Sequence, residues 1–350
     1  MAASDESEYI RRVFIATGIA VGVVAICTLV VVFPQAPLLF FSAVLAAMAL
    51  DSLAAPFERY AWLPRSVALL LGIGLVVAAL GLVLWLSGQQ LVEQATNLAE
   101  RAPAAYEQLQ RTLQSSAWGR ALLDGESQEP TRWLAGVAGG AWRSLTSSLA
   151  AVGSAAVTAV MAFFLALDPA AYRDAFLRVL PPARRERATQ ILDRMGDALR
   201  WWLMGRLLAM AAVAVLTFAG LRLLHVPAAL LLSLLAGILT FIPYVGPVLA
   251  ALPALLVSLS QDPVLLLWIP PLYTLIQGIE NNLLTPLIQA KAVDIPPAYL
   301  IAAQFLIGIP FGLLGLALAT PLLIVAVVVV QMAYVEDTLG ERVRVLGAES

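Results

Sequence analysis

The chain has 350 residues, of which 61% are hydrophobic and only 13% charged; its mean hydropathy is +0.88 and its net charge −2. A soluble domain is about 45–50% apolar and roughly 25% charged, so a large soluble enzyme, a disordered chain and a basic nucleic-acid binder are all excluded. Cys27 is the single cysteine and His225 the single histidine, which rules out an internal disulfide and argues against a metal site or a bound cofactor.

The first predicted element is an apolar run from Val13 to Phe33, after Arg11-Arg12. Its 21 residues exceed a signal-peptide core of about 7–15 and match one bilayer crossing, so it reads as a retained transmembrane helix. Ala36–Leu50 is shorter and pairs with it as a hairpin through Pro34-Gln35. Ser66–Leu86 and Ser144–Leu167 have spanning length, and Arg206–Leu221 is somewhat shorter. Inside a bilayer the backbone must satisfy its own hydrogen bonds; no strand alternation appears, so these runs are helices. Asp51 and Glu58 read as loop charges after the second helix.

Two polar segments interrupt the apolar part. In 87–143, Leu91, Ala95, Leu98, Ala102, Leu109 and Leu113 recur at helical spacing, with Pro103 dividing the pattern. Either these helices lie on the membrane or on their own subunit, or they form a coiled-coil contact with another subunit. In 168–206, Asp168-Pro169 is a helix start. Ile191, Met195, Leu199 and Trp202 then form an apolar stripe opposite Arg187, Asp193, Arg194 and Asp197, predicting a surface-lying helix with Trp201 and Trp202 at the interface. With the N-terminus inside, the inner segments up to Arg206 carry twelve arginines and the outer segment five. The positive-inside bias therefore places the N-terminus in the cytoplasm, and six, eight or ten spans would each return the C-terminus, with the tail 336–350, to the same side.

The C-terminal core, 207–335, is more informative. Between Arg222 and Asp262 lie 39 residues without Asp, Glu, Lys or Arg, and between Asp294 and Glu336 lie 41. One span takes about 20 residues. Each stretch is also interrupted near its middle, by Phe241–Pro247 (FIPYVGP) and by Gly308–Gly315 (GIPFGLLG). Proline lacks the N–H and glycine adds backbone freedom, so both centres are expected to be broken helix or tight hairpin. A matched pair of Gly/Pro-interrupted apolar segments points to a transporter's binding site; the alternative is two ordinary hairpins turning in the headgroups.

Between the two stretches, Glu280 is the only charge in 263–290, with Gln277, Asn281, Asn282, Thr285 and Gln289 around it. An ionisable residue inside a membrane costs several kcal/mol and persists with a partner or a function. The alternative is a helix end near the headgroups, since Pro286 and Lys291 follow. A dry carboxyl here would suit proton carriage.

These residues resemble the autoinducer-2 exporter family of bacterial permeases. GILTFIPYVGPVLAALPALLVSL at 237–259 is similar to its Ile-Pro-Tyr-x-Gly-Pro signature. QGIENNLLTPLIQAKAVDIPP at 277–297 is similar to its Glu-x-Asn-x₃-Pro segment, and GIPFGLLGLALATPLLIV at 308–325 to its Gly-rich segment ending in Ala-x-Pro. The departure is Asp294–Pro297 (DIPP), which leaves the partner of Lys291 open. The resemblance implies an all-α, polytopic inner-membrane permease of about eight spans without nucleotide-binding parts, forming a ring-shaped homo-oligomer with a pentamer as candidate size. Its best-known assignment is export of the quorum-sensing signal autoinducer-2; other members are linked to sodium–proton antiport. Carried onto this chain, the motif residues are Pro243, Tyr244, Gly246 and Pro247; then Glu280, Asn282 and Pro286; then Gly308, Gly312, Gly315 and Pro321.

Three functions compete. The leading one is a secondary transporter of a small polar solute or ion, because no G-x-x-x-x-G-K-[ST] loop supplies ATP hydrolysis. Glu280 would bind the coupling ion, with Gln277, Asn281 and Asn282 as polar ligands, Tyr244 at the first break as a further pathway residue, and the two breaks as gates. An intramembrane enzyme would need a nucleophile and base, and only His225, next to a helix end, is on offer. A non-transporting scaffold would use Gly18-x₃-Gly22 and Gly308-x₃-Gly312 as packing faces and would tolerate Glu280→Leu.

Overall fold

The computed structural model describes residues 33, 35–61, 63–78, a few positions between 81 and 93, 148–261, 264–284 and 295–340. All secondary structure among these residues is helical. The expected first helix at 13–33, nearly all of the polar segment 87–143, and Pro286 with Lys291 lie outside the described residues.

Helix α1 (Gln35–Ala61) is longer than its apolar run and carries Asp51 and Glu58 on the helix itself, which corrects their expected place in a loop. The extension is possible because the charges are partnered. Asp51 accepts hydrogen bonds from Arg65 Nη2 at 2.5 Å and from Arg200 Nη2 at 2.9 Å, and Arg65 also lies 3.5 Å from Glu58. The hydroxyls of Ser42 and Ser52 donate to the carbonyls of Leu38 and Met48, each at 2.8 Å, so neither faces an apolar surrounding unpaired.

Helix α2 (Arg65–Ala78) and helix α3 (Ser148–Leu167) close on α1 through small side chains: Ala43, Ala47 and Ala54 meet Ala68, Ala162 and Ala166. Small residues let helix backbones approach closely, the usual contact where hydrophobic burial gives no advantage over lipid. The other side of α3 exposes Val157, Val160 and Phe164, as a lipid-facing surface does. Arg65 Nε donates to the carbonyl of Ala166 at 2.8 Å, putting the start of α2 and the end of α3 at one level. Asp168 then starts helix α4 (Pro169–Val179) as the sequence predicts, its Oδ1 accepting from the N–H of Ala171 at 3.0 Å. α4 leaves α3 at an angle of 87°.

Helix α5 (Pro182–Leu223) is the spine of the fold. It runs 42 residues, about 63 Å at 1.5 Å per residue, twice the hydrocarbon thickness, and passes residue 206 without interruption. The stripe expected to lie on the membrane surface does not do so. Leu199 and Trp202 are buried with Leu38 and Leu45 of α1, and Ile191 and Met195 pack against the same cluster. An apolar stripe has the same spacing whether lipid or protein covers it, so periodicity could not decide between them. Trp202 makes an edge-on contact with Phe241, ring centroids 5.5 Å apart, while Trp201 stays half exposed.

Helices α6 (Ala229–Leu239) and α8 (Leu265–Ile279) pack on α5, and α7 (Val245–Gln261) packs on α6 and α8. Leu221, Leu232, Ala254 and Ile269 bring all four together. α6 is 11 residues, about 16 Å, too short to cross a bilayer alone. The first break therefore separates two short helices. α8 continues into a π-helical turn, Glu280–Leu284.

Helix α9 (Pro297–Val329) contains the second break. Gly312 has φ 61° and ψ −141°, a backbone region open to glycine alone. A Cβ at Gly308 would come 2.5 Å from Leu316 Cδ2, and one at Gly315 would collide with the carbonyl of Ile307. Residues eight apart on a continuous helix stand about 12 Å apart, so the chain doubles back and α9 is two arms. The second arm packs Leu318, Ile324 and Val328 on α1 and α5. It ends in a further π-helical turn, Val330–Glu336, where Arg187 of α5 binds Glu336 at 2.7 Å, Asp337 at 2.8 Å and the carbonyl of Met332 at 2.9 Å. The ion pairs of Asp51 and of Arg187 both involve the N-terminal half of α5.

A buried charge pair at the broken helices

The first break is a tight reversal. The N–H of Val245 donates to the carbonyl of Pro243 at 2.7 Å around Tyr244, whose φ is +61°. This is a γ-turn of the positive-φ form, rare and strained for a residue with a side chain. Gly246 follows, so close to the carbonyl of Leu239 that any Cβ would collide with it. The sequence supplies glycine where the backbones touch, and accepts strain at Tyr244.

The break turns carbonyls out of the helical ladder, and side chains from two other elements reach them. Arg206 of α5 donates through Nε to the carbonyl of Phe241 at 3.3 Å. Gln304, on the first arm of α9, donates through Nε2 to the carbonyl of Pro243 at 2.7 Å. Arg206 Nη1 also donates to Glu280 Oε1 at 3.0 Å, and Glu280 Oε2 accepts from Gln277 Nε2 at 2.7 Å. The side chains of Arg206 and Glu280 are 7% and 3% exposed, so the pair is inside the protein. Four elements converge here: α5, the α6–α7 break, the start of the π-turn after α8, and the first arm of α9.

The remaining sequence candidates take different positions. Gln277 bridges inward to Glu280 and outward to Asn281 Oδ1 at 3.3 Å. Asn281 and Asn282 are exposed, and Asn282 Nδ2 donates to the carbonyl of Gly278 at 2.9 Å, away from the pair. Tyr244 is half exposed at the turn. Gly308, Gly312 and Gly315 form the α9 reversal, and Pro321 is buried in the second arm. His225 sits exposed in the turn after α5 with φ +55°.

Sequence reasoning missed Arg206 and Gln304. Arg206 counts among the basic residues of the inner segments, yet it directly precedes the apolar run of α5, and a carboxyl inside a membrane calls for such a partner. Gln304 is an amide within the 41-residue charge-free stretch, which is itself a signal. Among the described residues, no group of three or more His, Cys, Asp or Glu could hold a metal.

A bundle of long apolar helices, with a buried ion pair at the first helix break, is the architecture of a multi-pass membrane protein. The description "AI-2E family transporter" matches residues 17–334, and the chain belongs to that family. It is 26% identical over 277 residues to "Putative transport protein YueF" of Bacillus subtilis (strain 168), covering 74% of each chain. It is 25% identical over 267 residues to "Putative transport protein YrrI" of the same organism, covering 74% of this chain and 76% of that one. Similarity to "Putative permease PerM" of Escherichia coli (strain K12) is 28% over 165 residues, 47% of this chain and 46% of that one.

Proposed function

We propose that this protein is an ion-coupled secondary transporter that exports a small polar solute, such as a quorum-sensing signal, across the bacterial inner membrane, with both termini in the cytoplasm. The observation that supports the reading is the Arg206–Glu280 pair, held against the broken backbone at Phe241. A buried ion pair contributes little net stability compared with well-packed apolar residues, so its presence at a helix break calls for a role beyond folding. In the resting arrangement each charge neutralises the other. A proton or sodium ion reaching Glu280 competes with Arg206 for the carboxylate. The guanidinium is then free to take an anionic or polar group of the solute, while Gln277 keeps its bond to the carboxyl. The reversals at Tyr244–Gly246 and Gly312 supply hinges on either side. Sodium–proton antiport would use the same carboxylate and dispense with the solute.

The test is flux into proteoliposomes with an imposed proton gradient, for wild type and Glu280→Gln, with autoinducer-2 and sodium in the panel. Gradient-driven flux that the variant loses supports the reading, and the species that moves separates export from antiport. Equal flux in both proteins removes Glu280 from the coupling step. A well-folded protein that moves neither species favours a scaffold.

A further inference from the structure

Helix α4 is an eleven-residue helix with no buried side chain. Isolated helices shorter than about 12–15 residues are marginal in water, so α4 depends on what its faces meet. Its inner edge is tied to α5 by Arg173, whose Nη1 lies 2.9 Å from Asp193 Oδ1. Its outer face carries Tyr172, Phe176 and Val179 at i, i+4 and i+7, all exposed, Val179 at 84%.

Two measurements locate that face. The 87° bend from α3, a helix read as crossing the bilayer, lays α4 close to the membrane plane. Its depth follows from α5. Arg200 binds Asp51 at the level where Arg65 meets the end of α3, and Asp193 stands seven residues, about 10 Å, further out. The headgroup layer is roughly 5–8 Å thick on each side of the hydrocarbon, so α4 lies in it or against it.

The charge at the turn from α4 into α5 is complementary to acidic lipid. Arg178, Arg184 and Arg185 are exposed, and none has a carboxylate within ion-pair distance among the described residues. Arg185 is held over the turn by donating to the carbonyls of Leu180 at 3.1 Å and Arg178 at 3.3 Å. The acids nearby are Asp168, engaged as the cap of α4, with Asp174 and Glu186, both exposed. Amphipathic helices with basic borders bind where apolar insertion and attraction to anionic headgroups act together.

We propose that α4 and its turn into α5 form a seat for acidic phospholipids. Tyr172, Phe176 and Val179 enter the headgroup–acyl boundary, and Arg178, Arg184 and Arg185 hold the lipid phosphates. The seat is independent of the transport reading.

The experiment uses the full chain with Cys27→Ser, in nanodiscs of phosphatidylcholine with or without 30 mol% phosphatidylglycerol (composition chosen at roughly the scale of acidic lipid that gives a strong surface potential). A fluorophore on Phe176→Cys is expected to be quenched by spin-labelled lipid, and one on Asp174→Cys by aqueous iodide. Phosphatidylglycerol is expected to raise the melting temperature, and Arg178→Gln/Arg184→Gln/Arg185→Gln to lose at least half of that rise while melting normally in phosphatidylcholine. Inorganic phosphate in phosphatidylcholine discs should not replace the lipid. Iodide access at both labels, or a lipid-dependent rise that the triple variant keeps, overturns the proposal. So does a Phe176→Cys label shielded from both quenchers, since that face would then be covered by a second copy of the chain.

Discussion

Replacing Arg206 by Met while leaving Glu280 in place strands a carboxylate that is 3% exposed, with Gln277 as its remaining donor and the carbonyl of Phe241 left without its guanidinium. Breaking a buried pair by deleting one partner costs about 3–5 kcal/mol, because the surviving charge keeps its desolvation penalty and loses its compensation. Glu280→Met strands the guanidinium in the same way. Removing both charges removes both penalties, and apolar replacements of similar volume are often neutral or stabilising by about 1–4 kcal/mol. The double variant should therefore unfold no more readily than wild type, although each single variant is weakened by two to three and a half orders of magnitude in the folding equilibrium, at about 1.4 kcal/mol per tenfold. Equilibrium unfolding in mixed micelles of the four proteins gives the coupling energy directly. Additive single effects would refute the pairing as the source of the cost. Transport separates the two meanings of the pair: if it serves only packing, the double variant transports, and if Glu280 couples the ion, the double variant is stable and inactive.

Four further outcomes follow from named contacts. Gly246→Ala places a methyl against the carbonyl of Leu239 and should cost more than about 3 kcal/mol, seen as loss of the monodisperse peak in size-exclusion chromatography. Gly196→Ala, where nothing lies within 4 Å of the added methyl, should instead stabilise α5 by about 0.5–1 kcal/mol, raising the melting temperature. Gly312→Ala has equal room but the wrong backbone, with φ 61° and ψ −141°, and should lose about 1–3 kcal/mol in the unfolding assay. Arg187→Gln removes pairs that are 25–43% exposed on the acidic side, so its cost should stay under about 1 kcal/mol and shrink as salt is raised.

The sequence by itself determined the membrane class, because 61% hydrophobic residues cannot be covered by 13% charge in water. It also determined both breaks: proline and glycine act through local backbone sterics, and local effects are legible without a fold. Glu280 stood out for the same kind of reason, as one charge in an apolar segment. What surrounds these points was decided only in three dimensions. The partner of Glu280 is 74 residues away in the chain, and Gln304 meets Pro243 across 61 residues. Ion pairing depends on which helix faces meet, and no periodicity within one helix encodes that. Asp51 and Glu58 read as loop charges because charge ordinarily ends an apolar helix; Arg65 and Arg200, brought in from other helices, let α1 continue through them. The stripe on α5 and the stripe on α4 have the same helical spacing, yet one is covered by α1 and α9 and the other is left exposed. Hydrophobic spacing states that a face will be covered; the tertiary structure states by what.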